Sequence, residues 1–213
     1  MSEALEQLDD GEQPLADDEP AGENELEELA GDEELDPEIA ARRKAALAHV
    51  RKWGDPILKT KARPVDRFDG ALREEIERMG VLMHDALGIG LAATQVGVLH
   101  RVLVYRVQSQ APVSALINPK LEWHSGEEEI AEEGCLSLPT VLVEVERPLH
   151  IRVAAQDPFG EPVLVEASGL EARVIQHEMD HLDGVLILNR TSREQRKEAA
   201  KALREWRDQA GAE

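Results

Sequence analysis

The sequence predicts an α+β fold in which antiparallel strands pack around a central helix. Residues 70–87 carry apolar side chains at helical spacing, and residues 170–182 are predicted to form another long helix. Between them, from about residue 101 to 168, the pattern changes to period two with short apolar runs, which is typical of strands. Because the helices flank the strands instead of alternating with them, antiparallel pairing is favoured over a doubly wound parallel sheet.

Two helices are expected ahead of the strands. The first covers about residues 37–50, because Asp36 can cap a helix and Pro37 suits its first position. The second is the helix at 70–87, with Asp69 as its N-cap and a glycine-rich stretch after its end. The segment that connects the two helices is predicted to be loop and extended chain.

Five strands are expected next. They are predicted at RVLVYRV, ALINPKLEW, VLVEVER, LHIRVAA and PVLVEAS, which are residues 101–107, 115–123, 141–147, 149–155 and 162–168. The sequence DPFG at 157–160 predicts a tight turn that joins the last two strands as a hairpin. After the central helix we expect a short strand at VLIL, residues 185–188, and a final helix over about residues 192–209.

The charge is distributed unevenly along the 213 residues. Residues 1–40 hold 17 acidic and no basic side chains, which leaves 27 acidic and 24 basic ones in the rest of the chain. We therefore predict a disordered acidic tail over residues 1–40 and a single folded domain over residues 41–213. The near-neutral domain has no bulk attraction for DNA, and the tail would repel DNA.

The sequence lacks the marks of membrane and secreted proteins. No run of 18 apolar residues occurs, and the N-terminus resembles neither a secretory signal nor a transit peptide. Cys135 is the single cysteine, so no intrachain disulfide can form and no oxidising compartment is needed. We expect a cytoplasmic protein without a membrane partner.

The strongest local signal for chemistry is QHEMDH at residues 176–181. His177 and His181 are four positions apart, so on a helix both imidazoles lie on one face and can bind one metal ion. Glu178 can reach a water at that metal without being a ligand itself. This pattern makes the central helix of the predicted fold a metal-binding helix.

A catalytic metal site also needs a third protein ligand. No further histidine follows at the spacing that some metalloproteases use, because the chain continues as LDGVLIL. Cys135, within EEGCLSLP, is the best candidate, since a shaped loop between strands can present a thiolate. From the residues alone, two alternatives stay open: a small buried apolar side chain, or a nucleophile activated by a histidine.

The segment GIGLAATQVG at residues 88–97 superficially looks like a dinucleotide-binding glycine loop. That fingerprint needs a strand before it and a helix after it, whereas here a helix precedes and strands follow, so we reject it. Closely spaced glycines instead let the backbone approach another group. The amide of Gln95 could donate a hydrogen bond to a developing oxyanion.

Together, GIGLAATQVG, EEGCLSLP and QHEMDHLDG resemble the three signature motifs of the peptide deformylase family, in the family's order and at similar separations. The resemblance covers roughly residues 50–205, which leaves out the acidic tail and the first helix. It implies a peptide deformylase-like catalytic domain that hydrolyses the N-formyl group from the formyl-methionine of newly synthesised polypeptides and releases formate. The implied partners are formyl-methionyl nascent peptides.

The resemblance implies roles for four residues around a metal ion. Cys135, His177 and His181 match the family's metal ligands, and Glu178 matches its general acid and base. The family ordinarily uses Fe²⁺ and accepts other divalent ions such as Zn²⁺, Ni²⁺ or Co²⁺. One soft thiolate and two imidazoles suit several of these ions.

Four further residues match the family's substrate-binding groups. Gln95 and the backbone N–H of Leu136 match the donors that stabilise the oxyanion. Ile89 and Gly90 match the strip that pairs with an extended peptide substrate. The site thus implied combines a metal, a proton carrier and a strand-like peptide groove.

Some positions around these motifs carry expectations of their own. An apolar pocket for the methionine side chain is expected beside the QHEMDH helix, near Val174 and Ile175. Some family members carry a peptide-binding arginine soon after the cysteine motif; that position is Leu142 here, with Arg147 further on. Asp183 is either a carboxylate that orients a ligand histidine or a solvent-facing helix end.

The C-terminal helix has one apolar stripe and one basic stripe. The apolar stripe predicts that the helix docks on the domain through Ala199, Leu203, Trp206 and Ala210. The family resemblance suggests an additional contact with ribosomal RNA, for which the candidate residues are Arg193, Lys197, Lys201 and Arg204.

Three other functions are compatible with parts of the pattern. A related metallopeptidase would use the same HExxH pair, although Cys135 in EEGCLSLP argues against it. A binding protein with a structural metal would need a fourth protein ligand or the loss of Glu178, and the sequence has neither feature. A thiol enzyme without a metal would use Cys135 as its nucleophile.

Overall fold

The folded part of the chain begins with two helices that pack against each other. The computed structural model describes residues 35–210, so most of the predicted acidic tail lies outside the described residues, and the boundary at residue 40 stays a prediction. Helix α1 covers Pro37–Leu47 and α2 covers Gly70–Asp85, which confirms both predicted helices. The Asp69 carboxylate accepts hydrogen bonds from the first backbone N–H groups of α2, as an N-cap should.

Within the described residues, seven strands form two antiparallel sheets, which confirms the predicted α+β class. The strands are β1 (Gly90–Ala92), β2 (Val102–Tyr105), β3 (Ser114–His124), β4 (Glu128–Cys135), β5 (Leu138–Pro148), β6 (His150–Gln156) and β7 (Pro162–Ser168). One sheet has the order β1-β2-β3-β6-β7, and the other is the β4–β5 hairpin. Strands β6 and β7 pair through the turn at 157–160, as the DPFG sequence predicted.

Three local predictions need correction. Strand β4 was not expected, because three of its glutamates, Glu128, Glu129 and Glu132, are exposed and break the apolar alternation that marks a strand. Cys135 is therefore the last residue of a strand and not part of a free loop. Strand β1 was missed as well, because three residues are too short to show a pattern. The strand predicted at VLIL is wrong, since a 3₁₀ turn occupies Ile187–Asn189.

Helix α3 (Gly169–Leu182) lies at the centre of the molecule. It packs against strands of the five-stranded sheet and also contacts β5 of the hairpin. Its apolar face, including Ala172, Ile175 and Leu182, is buried against Leu103 and Val153 of the sheet. The elements of both sheets therefore converge on the helix that carries the two predicted histidine ligands.

The remaining helices cover the other surfaces of the strands. Helix α4 (Arg193–Ala210) packs on β5, where Ala199 and Leu203 bury against the inward valines of that strand. Helix α2 covers β2 with Leu72, Met79 and Met83, among other side chains. No helix within residues 35–210 is long and apolar enough to cross a membrane.

Candidate metal centre

The structure brings together the three predicted metal ligands. The sulfur of Cys135 and one ring nitrogen each of His177 and His181 lie within 4.8 Å of one another, the one such group of these residue types among the described residues. The two histidines lie one turn apart on α3, with ring centroids 5.0 Å apart. The Sγ atom of Cys135 is 3.2 Å from Nε2 of His181.

The donor set fits a divalent transition metal ion. His177 Nδ1 lies 2.9 Å from Oε2 of Glu133, and donating its proton there leaves Nε2 with a free lone pair. Burial opposes ionisation of Cys135, but the charge of His181 and hydrogen bonds from both histidines outweigh it and hold the pKa of the thiol well below its usual range. A thiolate and two imidazoles are ligands that Fe²⁺, Zn²⁺, Ni²⁺ and Co²⁺ accept.

Glu133 is a buried carboxylate that the sequence did not single out. It accepts two hydrogen bonds from Arg147, at 2.6 and 2.9 Å, and one from Arg173 at 3.0 Å. Burial alone would raise its pKa, but the hydrogen bonds and charges of Arg147 and His177 outweigh burial and lower the pKa to about 2. Glu133 is therefore a fixed negative charge that orients His177.

The ionic network extends beyond Glu133 to other residues on and after α3. Arg147 also donates to Asp180 at 2.9 Å, and Asp180 accepts hydrogen bonds from Arg190, just before α4.

The hypothesis that Asp183 orients a ligand histidine is wrong, because Asp183 is engaged at the surface by Arg101 and Lys61. One signal could have indicated that Arg147 has a buried partner. In the alternation of β5, position 147 points inward like the buried valines, so a charged side chain there needs a buried partner.

Glu178 is buried beside the two histidines. Burial is the main cause that raises its pKa to about 7; the charges of His177 and His181 oppose the shift, and the negative charge of Cys135 adds to it. Its Oε2 atom has no hydrogen-bond partner within the described part of the chain. Gly90 makes room for it, because a Cβ atom at position 90 would collide with the Glu178 carboxylate.

Gln95 and Leu136 both lie next to Cys135. The Ala92 N–H donates to Oε1 of Gln95 at 2.8 Å, which turns its Nε2 toward Ser137 Oγ at 3.2 Å and the Cys135 sulfur at 3.7 Å. Leu136 follows the cysteine directly, in the turn between β4 and β5. The structure thus places a side-chain amide and a backbone amide next to the same predicted metal ligand.

Ile89 and Gly90 lie at an edge of the five-stranded sheet. Gly90 begins β1, which is the terminal strand of that sheet and pairs on one side with β2. No strand among the described residues pairs with its other side, and an unpaired strand edge is where many proteins bind extended peptides. Ile89 packs against the apolar cluster that contains Val174 and Ile175. The residues predicted to bind substrate therefore adjoin those predicted near its side-chain pocket.

Leu142 and Arg147 have different environments on β5. Leu142 is 54% exposed and lies opposite Gly134, the residue before Cys135 in the hairpin. Arg147 is buried in the ionic network, so it cannot take over the peptide contact of an arginine at position 142. The single histidines at 84, 100 and 150 bond to other side chains away from this site.

Most of the folded chain matches a known protein family. The family model of polypeptide deformylases matches residues 47–197, a range that holds every residue of the site described above. The chain belongs to the peptide deformylase family. Its match excludes most of helix α1.

Curated and solved relatives agree with this assignment. A peptide deformylase of Thermotoga neapolitana is 50% identical over 144 residues, which are 68% of this chain and 87% of that protein. One from Acidothermus cellulolyticus is 47% identical over 160 residues, covering 75% and 87% of the two chains. The crystal structure of the Legionella pneumophila enzyme superposes with a TM-score of 0.73 at 34% identity, covering 77% of this chain and 97% of that one.

Membership decides between the functions that the sequence left open. The chain is a hydrolase that removes the N-formyl group from nascent peptides, as the resemblance implied. The family uses a divalent metal, in keeping with the cysteine and histidine group of the structure. All three of these relatives are peptide deformylases, which argues against the alternative of an HExxH metallopeptidase.

Proposed function

We propose that this chain binds one divalent metal ion through Cys135, His177 and His181 and uses Glu178 as general acid and base in deformylation. The observation that supports this most strongly is the approach of the three donor atoms to within 4.8 Å beside a buried carboxylate with a pKa of about 7. A carboxyl group with a pKa near the working pH can both accept and return a proton.

The residues around the ligands supply the remaining steps. When bound, the metal acts as a Lewis acid and lowers the pKa of a coordinated water. Glu178 accepts the proton of the attacking water and later delivers it to the departing amine of the peptide. As the formyl carbon becomes tetrahedral, the Nε2 group of Gln95 and the N–H of Leu136 donate hydrogen bonds to the oxygen that gains charge.

The substrate binds as an additional strand at the edge of the sheet. Its backbone pairs with Ile89 and Gly90, and its methionine side chain enters an apolar pocket beside α3 near Val174 and Ile175. Two observations support this placement: β1 is the terminal strand of its sheet, and Ile89 packs against the cluster that holds both α3 residues.

Formate release tests the proposed roles directly. The purified full chain is assayed with formyl-Met-Ala-Ser, wild type beside Glu178→Ala, and the metal content of both is determined. We expect formate from the wild type, none above background from Glu178→Ala, and metal in both. Glu194→Ala, an exposed glutamate on α4, is the matched control and should be as active as the wild type. Bound metal without formate from the wild type would contradict the proposal.

We propose Fe²⁺ as the native ion. The thiolate of Cys135 and two imidazoles suit several first-row ions, and the family resemblance favours iron. Oxygen would then inactivate the enzyme by oxidising the metal or the thiolate. Protein purified without oxygen should contain iron and lose activity on aeration, whereas full activity after long aeration of an iron-loaded sample would contradict this choice.

We also propose that α4 contacts the ribosome and that the enzyme acts in the cytoplasm, where nascent chains emerge. The support is a row of exposed bases on the helix face away from β5, namely Arg193, Lys197, Lys201 and Arg204. Replacing all four with glutamine should weaken ribosome binding in a salt-dependent manner and spare the hydrolysis of small formyl-peptides. Replacement of Glu194 and Glu198 on the same helix is the control. Unchanged ribosome binding by the fourfold variant would refute the contact.

A further inference from the structure

The segment 51–53 forms hydrogen bonds with two turns of the chain beside Cys135. The backbone N–H of Arg51 donates to the carbonyl of Gln95 at 2.7 Å, and the backbone N–H of Trp53 donates to the carbonyl of Ser137 at 2.9 Å. Between them, the Nζ group of Lys52 donates to the carbonyl of Leu136 at 2.9 Å. Three consecutive residues therefore bind both the turn that carries Gln95 and the turn that carries Leu136.

Leu136 depends on such external contacts for its position. The pairing of β4 with β5 shifts register between Gly134 and Cys135, and Leu136 lies in the turn beyond the paired residues. Its side chain packs close to Gly88, where an added Cβ would come within 2.9 Å of it. Its carbonyl is held by Lys52, so the residue is fixed from both its side chain and its backbone.

Partial burial of a lysine at this position carries a desolvation penalty. Lys52 is partly buried, and burial is the main cause that lowers its pKa to about 8, partly opposed by the negative charge of Cys135. An apolar side chain would avoid this desolvation. What the ammonium group provides in return is a hydrogen bond to Leu136 and a positive charge close to the cysteine ligand.

We propose that Lys52 is a positioning residue for the oxyanion site: by holding the Leu136 carbonyl, it fixes the backbone whose N–H donates to the substrate oxygen. This inference rests on the proposed roles of Gln95 and Leu136. Lys52 itself does not touch the reacting atoms. It acts through Leu136, while the backbone of Arg51 and Trp53 sets the distance between the two donors.

The test compares Lys52→Met, which keeps the length of the side chain, with Lys52→Arg, which keeps a charged donor. Exposed Lys59→Met, further along the chain, is the matched control. Loss of a whole oxyanion donor lowers kcat by about 10²–10³, so misplacing one should lower it roughly tenfold in Lys52→Met. We expect KM and bound metal to stay close to wild type, Lys52→Arg to recover most of kcat, and Lys59→Met to behave as wild type.

A second readout does not depend on activity. In the zinc-loaded protein, the backbone amide resonance of Leu136 should shift in Lys52→Met and return toward the wild-type position in Lys52→Arg. If Lys52→Met does not fold, Lys52→Gln takes its place as the uncharged variant. Wild-type kcat together with an unshifted Leu136 resonance in the uncharged variant would overturn the inference. Inactive wild-type protein would instead count against the proposed function.

Discussion

Two buried glutamates flank the same pair of histidines, and their pKa values move in opposite directions. Glu133 lies among arginines, and its pKa is lowered to about 2. Glu178 lies against Gly90, and burial raises its pKa to about 7. Helix α3 thus contacts one carboxylate with a fixed charge and carries another that can exchange a proton near neutral pH. The same residue type serves two roles because its surroundings differ.

The largest effect is expected from removing the exchangeable proton. Glu178→Gln should lower kcat by about 10²–10⁴, the usual contribution of a general acid and base, and should keep the metal. A raised pKa means that the stability contributed by this carboxyl is present at low pH and lost as the pH rises through about 7. The variant should therefore unfold at pH 8 at a temperature no lower than wild type, as calorimetry can check. A lower unfolding temperature of the variant at pH 8 would contradict the raised pKa of Glu178 and its difference from Glu133.

The next effect concerns the space that Gly90 provides. In Gly90→Ala the new Cβ would displace the Glu178 carboxylate, and a shift of about 1 Å at a reacting group can cost on the order of 10² in rate. We expect that loss in kcat/KM for formyl-Met-Ala-Ser, with a normal circular dichroism spectrum and normal metal content. Gly126→Ala, at a position where a Cβ meets nothing within 4 Å, is the control. Near-normal activity of Gly90→Ala would show that Glu178 can move aside without harm.

The third effect concerns the fixed negative charge of Glu133, whose removal should weaken the binding of the metal ion. Glu133→Gln leaves Arg147 and Arg173 short of a buried partner and His177 without its carboxylate. Metal affinity should fall about 10–100-fold, as is usual when a group that orients a ligand is lost. Competition with a chelator measures this effect, and Glu132→Gln, an outward neighbour on β4, is the control.

The same variant should change the response to acid. Because the pKa of Glu133 is lowered from 4.5 to about 2, its stabilisation is present above pH 4.5 and is lost as the pH falls toward 2. Glu133→Gln should lack this part of the acid dependence and should lose about 3–5 kcal/mol of unfolding free energy at neutral pH. Parallel acid-unfolding curves for the two proteins would be evidence against a charged Glu133.

The smallest effect is expected at Tyr105, another buried acid. Burial, followed by the charge of Glu171 and its hydrogen bond with the phenol, raises the pKa of Tyr105 from 10.0 to about 12. Its contribution to stability is therefore present below pH 10 and is lost as the pH rises toward 12, by about 1–2 kcal/mol. Denaturant unfolding at pH 9 and pH 11 should show a smaller decrease for Tyr105→Phe than for wild type. An equal decrease would contradict the shift.

The sequence predicted those parts of the molecule whose signals are local. The histidine spacing placed two donors on one face of α3, and Asp69 marked the start of α2, because both patterns lie within one or two turns of helix. Strand β4 was missed because its exposed glutamates Glu128, Glu129 and Glu132 hide the alternation of apolar and polar residues by which a strand is predicted.

The ionic network was not predictable in the same way. Glu133, Arg147 and Asp180 come from three elements, and only the fold shows that they meet. Asp183, at the end of α3, was one of two interpretations, an orienting carboxylate or a solvent-facing helix end, whereas Glu133 on strand β4 makes the contact with His177. Lys52 was overlooked for a related reason, since its contact with Leu136 joins residues 84 positions apart.

The contact between Gly90 and Glu178 has a consequence for how this chain can vary. The two residues are 88 positions apart in different motifs, yet the room for one depends on the absence of a side chain at the other. Their substitutions should therefore be non-additive. Once the residue at 178 is shortened to alanine, a methyl group at 90 should cost little more. Which residues are tolerated at one position thus depends on the residue at the other, so the two motifs are expected to change together.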